Sequence, residues 1–288
     1  MTEATEPAGP VLVVGGGRMG AGIAQVCAAT GRAVLVVESD SAAAAGARDR
    51  VATALQRAAE RGALDRPEAE VAARVRVETG LGSVDPSTAL AVEAVSEDIE
   101  LKLQVLAAVS RAVGPDCLVA TNTSSLPIGE LAAAVEGPER FLGMHFFNPV
   151  PASALVEIVV GERTSEGAVA RARAWVAELG KQEVVVRDSP GFATSRLGVL
   201  LGLEAIRMLE EGVADAASID RAMELGYRHP MGPLRSTDLV GLDVRLAIAE
   251  HLQRTLGERF APPALLRAKV ERGELGRKAG RGFYDWTT

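Results

Sequence analysis

Over the first two-thirds of the chain, short apolar runs alternate with longer stretches whose apolar residues recur at helical spacing. The runs predict strands at Val11–Val14, Ala33–Val37, Leu90–Val95, Leu118–Ala120, Phe141–Met144, Leu155–Val160 and Glu183–Val186. The helical patterns fall at Met19–Thr30, Ala42–Arg61, Glu100–Val113, Ile128–Ala134 and Glu166–Gly180. Strands alternating with helices imply βαβ units and an α/β fold built on a doubly wound parallel sheet. After Asp188-Ser189-Pro190-Gly191 the rhythm changes. Helical stretches alone follow, at about Ala193–Glu211, Ala217–Leu225, Thr237–Leu256 and Pro263–Arg272, broken by Gly212, Gly226, the Pro230–Pro233 turn and Pro262-Pro263. A boundary near Asp188 therefore divides a Rossmann-type domain, residues 1–188, from an all-helical C-terminal domain, residues 189–288. A helical domain of this size is expected to need a partner surface, which points to a homodimer.

Composition narrows the classes. Nearly half of the 288 residues are apolar and the formal charge is −7, with acids and bases mixed along the chain. A sizeable core is affordable, while nucleic acid and anionic membranes are poor partners for such a surface. The longest apolar runs are too short to cross a bilayer, and Met1–Pro10 carries acids and no basic residue, so it reads as a short leader and no secretory signal. Cys27 and Cys117 are too few for a disulfide framework, read as core filler, and suit a reducing cytoplasm.

Gly15-Gly16-Gly17-Arg18-Met19-Gly20 follows the first predicted strand and opens a helix. Such glycines permit a tight turn, close approach to a pyrophosphate and close helix–strand packing, and the helix N-terminus attracts phosphate. The next predicted strand is followed by Glu38, an acid placed to accept from a ribose 2′-hydroxyl and to repel a 2′-phosphate. NAD is therefore the expected cofactor. A glycine turn that merely joins strand to helix is the plainer alternative, and it leaves the acid unexplained. Further polar groups follow strand ends: Ser96-Glu97, Thr121–Ser124 and His145. Each can be an ordinary cap, as Ser124 or Ser125 can be for the helix near Ile128. Together they outline one cleft at the carboxyl edge of the sheet.

Of three histidines, His229 precedes Pro230 in a turn and His251 lies in a helical pattern among charged neighbours. His145 ends an apolar strand, and Glu157 is the single charge inside the run Leu155–Val159. A carboxylate there is costly to bury unless paired, and a turn at Asn148–Pro151 can return its strand to His145. A His–Glu pair suits hydride transfer, the imidazole taking the hydroxyl proton and the carboxylate fixing its tautomer. A solvent-facing Glu157 on an edge strand is the alternative. No Cys/His group has zinc-ligand spacing, and no metal is expected.

Seven segments taken in order, GGGRMGAGIAQ, VEAVSEDIELK, TNTSSLPI, MHFFNPVP, SPGF, HPMGP with Asp238 and GLD, and GRKAGRGFYDW, resemble the L-3-hydroxyacyl-CoA dehydrogenase family, especially its short bacterial 3-hydroxybutyryl-CoA members. The resemblance spans almost the whole chain. It implies a Rossmann domain with a helical dimerisation domain and NAD-dependent interconversion of 3-hydroxyacyl and 3-oxoacyl thioesters in fatty acid metabolism. By position it makes His145 the base, Glu157 its orienting carboxylate, Ser124 a hydrogen-bond partner of the substrate's 3-oxygen and Asn148 the catalytic-loop asparagine. Glu97, Lys102 and Asn122 become residues lining the nicotinamide and its ribose, beside the cofactor turn of Gly15, Gly17, Met19 and Gly20. Ser195 departs from the pattern, standing where the family has a catalytic asparagine, and a hydroxyl is shorter than an amide and lacks its paired donor and acceptor. That departure fits relatives with altered substrates, including acyl groups carried on an acyl-carrier protein for polyketide extender units. Arg48, Arg50, Arg57, Arg61 and Arg66 are candidate contacts for CoA phosphates or an acidic carrier, or plain helix surface. A free hydroxy-acid dehydrogenase and an NAD-binding relative without turnover are the remaining readings.

Overall fold

In the computed structural model, residues 9–287 are described and divide between Asp188 and Ser189 into two compact units. The expected leader lies almost wholly outside the described residues.

The first unit holds one eight-stranded sheet in the order β3-β2-β1-β4-β5-β6-β7-β8. Its strands are β1 (Val11–Val14), β2 (Val34–Glu38), β3 (Val75–Thr79), β4 (Leu90–Glu93), β5 (Leu118–Thr121), β6 (Phe141–Phe146), β7 (Leu155–Val160) and β8 (Gln182–Arg187). All neighbours run parallel except β6 and β7, which are antiparallel. Central strands buried on both faces need continuous apolar runs, and β1 and β4 are buried at every position. Helices α1 (Arg18–Ala29), α2 (Ser41–Glu60), α3 (Glu68–Ala72), α4 (Ile99–Ala112), α5 (Ile128–Leu131) and α6 (Glu166–Glu178) supply the crossovers. Asp40, Asp98 and Ser165 cap α2, α4 and α6 by accepting from the backbone three residues on.

Two elements escape the sequence pattern. Helix α3 is a single short turn, and β3 is an edge strand that buries only Val77, so neither makes an apolar run. Several bounds also shift. The strand expected to stop at Met144 continues to Phe146 and contains His145, β4 stops at Glu93 rather than Val95, and the helix expected over Ile128–Ala134 ends at Leu131 in a 3-10 turn.

The second unit is helical: α7 (Thr194–Glu210), α8 (Ala216–Gly226), α9 (Pro233–Val240), α10 (Leu242–Leu256) and α11 (Ala264–Glu271). Its core gathers Val199, Leu203, Ile206, Leu234, Leu252, Phe260 and Leu266. The single helix expected over Thr237–Leu256 is two, because Gly241 adopts φ +105°, which an L side chain rarely tolerates. Two buried carboxylates organise this unit. Asp220 accepts from Leu234 N (2.8 Å) and Arg235 N (2.9 Å) at the start of α9 and from the Tyr284 hydroxyl (2.7 Å). Asp238 accepts from Phe283 N, Tyr284 N and Trp286 Nε1 at 2.8–2.9 Å, clasping the C-terminal segment. No described helix is long and apolar enough to cross a membrane.

Candidate active site

The strand order reverses at β1, which pairs with β2 on one side and β4 on the other, and ligands of open α/β sheets bind at such a switch point. The turn out of β1 is built for close approach. Gly15 sits at φ +94° with Ala94 O only 2.7 Å from where its Cβ would stand, and a Cβ on Gly20 would overlap the Gly15 carbonyl at 1.7 Å. Gly17, at the N-terminus of α1, has open space where a Cβ would point and no side chain capping the helix. Met19 follows in the first turn of α1, half-buried. Glu38 ends β2 and accepts from Gly16 N (2.7 Å), while Arg50 Nε donates to Gly16 O (2.8 Å). The peptide at Gly16 is thus held from both sides.

Arg50 and Arg48 were candidate thioester contacts; the structure gives both a backbone carbonyl instead, Arg48 reaching Val77 O at 2.6 Å. Arg66 pairs with Glu70 (2.9 Å), whereas Arg57 and Arg61 are exposed on α2 and at its end. A long arginine near a turn gives no sequence signal of which carbonyl it will reach.

At the ends of β4 and β5 lies a buried charge network. Lys102, from α4, donates to Glu93 at 2.7 Å, both side chains being essentially inaccessible. Glu93 also accepts from Thr121 Oγ1 (2.6 Å) and Val95 N (2.7 Å). Lys102 comes within 3.5 Å of Glu97, which in turn accepts from Thr123 Oγ1 (2.7 Å), Ser124 N (2.8 Å) and Ser125 N (3.2 Å). Lys102 and Glu97 are expected here from the sequence and Glu93 is not, because the partner of Glu93 is brought in by a helix whose rotation local sequence does not specify. Neither Ser124 nor Ser125 caps α5, whose N-cap is Pro127 with no side-chain cap; Thr123 Oγ1 instead accepts from Leu126 N at 3.0 Å in the loop before the helix. Asn122 accepts from Phe146 N (2.9 Å), tying β5 to β6 beside His145.

His145 and Glu157 are register partners across the antiparallel β6–β7 pair. His145 Nδ1 lies 2.9 Å from Glu157 Oε2, with Glu157 fully buried and His145 5% exposed. The Phe147 ring stands against the imidazole, 4.4 Å between centroids. The turn that brings β7 back is held by Lys181, which donates to Val150 O and Ser153 O, both at 2.6 Å. Asn148 is exposed on that turn, and Ser124 is half-buried in the loop after β5. Ser195 belongs to the second unit, in the first turn of α7.

A sheet of this order, with a glycine turn at its switch point and an acid ending β2, defines the dinucleotide-binding class of dehydrogenase domains. The family model described as "3-hydroxyacyl-CoA dehydrogenase, NAD binding domain" matches residues 10–189, and that of the family's C-terminal domain matches 191–286. The chain belongs to the 3-hydroxyacyl-CoA dehydrogenase family, and its cofactor is NAD. It is 42% identical over 290 aligned positions to a 3-hydroxybutyryl-CoA dehydrogenase of Mycobacterium tuberculosis, covering 99% of this chain and 100% of that one. A probable 3-hydroxybutyryl-CoA dehydrogenase of Bacillus subtilis is 40% identical, with 96% of each chain covered. The crystal structure of (S)-3-hydroxybutyryl-CoA dehydrogenase from Ralstonia eutropha superposes with a TM-score of 0.91 at 38% identity, covering 99% of this chain and 100% of that one.

Proposed function

We propose that the protein is an NAD-dependent dehydrogenase interconverting short-chain 3-hydroxyacyl-CoA and 3-oxoacyl-CoA. The observation that carries this is the buried His145–Glu157 pair at 2.9 Å in an NAD-binding fold. The cofactor fits the residues present. The uncapped start of α1 offers N–H groups to phosphates, the glycine turn leaves room for them, and Glu38 has a second carboxylate oxygen for the ribose hydroxyls. When bound, NAD supplies the hydride acceptor for the oxidation. Glu157 accepts from Nδ1 and so leaves the lone pair on Nε2, which takes the proton of the substrate's 3-hydroxyl. The buried carboxylate then stabilises the imidazolium, and the proton returns in the reductive direction. Ser124 serves as a hydroxyl donor to the substrate's 3-oxygen, Asn148 lies on the loop beside the base, and Glu97, Lys102 and Asn122 border the nicotinamide end; Ser195, a hydroxyl where the family has an asparagine, is the helical unit's own candidate.

Arg57 and Arg61 are suited to the phosphates of CoA, and equally to the acidic surface of an acyl-carrier protein in extender-unit synthesis, the second carrier compatible with Ser195. Exposed Leu225, Tyr227, Leu239 and Val240 on the helical unit support a homodimer, and two buried free cysteines suit the cytoplasm. The test is NADH oxidation with acetoacetyl-CoA beside matched carrier-protein thioesters. H145Q is expected to retain NADH binding and lower turnover by about 10²–10⁴-fold, the range for losing a general base. Wild-type turnover in H145Q overturns the mechanism.

A further inference from the structure

Between the end of β6 at Phe146 and the start of β7 at Leu155, the chain folds back on itself. Pro149 O accepts from Ala152 N and Ser153 N, both at 3.0 Å, and Ser153 Oγ accepts from Leu155 N at 3.3 Å. Asn148 stands at the entry to this turn, exposed, directly after the Phe147 ring that faces the imidazole. Its amide makes no hydrogen bond to a described residue. The place of that amide is therefore decided by the backbone that carries it.

That backbone is seated on two sides. On one, Val150 is 2% exposed and packs on α1 at Gly22, where a Cβ would stand 2.9 Å from Val150 Cβ and 3.1 Å from its Cγ2. On the other, Gln182 N donates to Ala154 O at 2.6 Å, which brings Lys181 alongside the turn. Lys181 Nζ then donates to Val150 O and Ser153 O. It makes no ion pair with a described residue, so its charge is directed at those two carbonyls. An ionised donor makes a hydrogen bond about twice as strong as a neutral one. Holding the sheet together is a poor account of this lysine, because β7 is already fixed by its ladders to β6 and β8. What Lys181 adds is the path of the turn.

We infer that Lys181 is a positioning residue for the reaction: through the carbonyls of Val150 and Ser153 it fixes the turn that carries Asn148, and so holds the Asn148 amide in place beside His145. The inference rests on the proposed dehydrogenase reading. Lys181 bonds neither member of the His145–Glu157 pair, whose register belongs to the β6–β7 ladder. Its effect therefore passes through the loop and leaves the base aligned. Such control matters because misplacing a reacting group by about 1 Å can cost about 10²-fold in rate.

The experiment is steady-state kinetics with acetoacetyl-CoA and NADH for the wild type, K181M, K181R, N148A and the K181M/N148A double variant. NADH affinity and unfolding temperature are measured for each. K181M is expected to lower kcat by about ten- to a hundred-fold while the Kd for NADH stays within about two-fold. K181R, which can donate to both carbonyls, should recover most of the loss. In the N148A background K181M should cost no more than about a further two-fold, because residues that act through one another are not additive. G22A disturbs the same turn from the other side, its Cβ displacing Val150, while alanine favours the helix. It should lower kcat with the unfolding temperature retained, and it decides the matter if K181M does not fold. Wild-type kcat in K181M, even with a lowered unfolding temperature, assigns the lysine to stability and overturns the inference. So does an equal loss with and without Asn148, or an unchanged kcat in G22A. A wild type that turns over neither acetoacetyl-CoA nor the carrier-protein thioesters overturns the dehydrogenase reading and the inference with it.

Discussion

The sheet unit and the helical unit bury charge by opposite rules. Every buried charged group at the strand ends of the first is answered: Glu157 by His145, Glu93 by Lys102, Thr121 and Val95, Arg140 by the carbonyls of Ser110 and Cys117. In the second, Asp220 and Asp238 are saturated by backbone and side-chain donors, yet Arg245 Nε and Asp243 Oδ1 are enclosed with no hydrogen-bond partner among the described residues. A protein interior punishes an unpaired charge by several kcal/mol, so the paired groups hold the fold while an unpaired one weighs against it. The same residue type teaches opposite lessons in the two places, and only the partner count separates them.

Breaking one paired site on the sheet side should have the largest effect. K102M strands Glu93 in a fully buried position, and losing one member of a buried pair costs about 3–5 kcal/mol. A marked fall in thermal stability is expected, together with weaker NADH binding through the displaced Glu97; an unchanged unfolding temperature would show that Glu93 is neutralised some other way. A smaller loss is expected from D238N, which turns an amide donor toward three donors and costs about 1.5–3 kcal/mol. Limited proteolysis should then cut the segment 276–287 faster while NADH binding is retained. Resistance equal to the wild type would show that the cation–π stacking of Arg235 on Tyr284 and Trp286 carries the clasp. The smallest effect concerns the two thiols. Burial pushes Cys27 and Cys117 from 9.0 up to about 12, so native protein should not react with a disulfide reagent at mildly alkaline pH. Between those values the unfolded chain holds fewer protons than the folded one, so stability should decline as pH rises. Rapid labelling of native protein would contradict the burial of both.

Periodicity carried the central sheet because β1, β4 and β5 are buried on both faces and must read as apolar runs. It failed at β3, where one buried valine in an edge strand leaves no run to see, and at Gly241, whose left-handed backbone splits a helical pattern that its side chains alone would continue. The pairing of His145 with Glu157 was legible for a specific reason: an isolated acid in an apolar strand demands a partner, and the intervening turn limits where that partner can be. Glu93 raises the same demand, but its partner is brought in by a helix, and helix rotation about a sheet is not written in local sequence. Lys181 and Arg50 were hidden for the same cause, since both act on backbone carbonyls, which have no sequence signature.

The pairing of His145 with Glu157 is set by the antiparallel ladder, in which a slip of one residue would turn the whole strand over. The turn between the two strands, residues 147–154, takes no part in that alignment and is fastened separately by Lys181. The register of the pair and the path of residues 149–154 are therefore held by separate contacts. Beyond Phe147 and Asn148, the loop can change without moving the imidazole and carboxylate out of alignment.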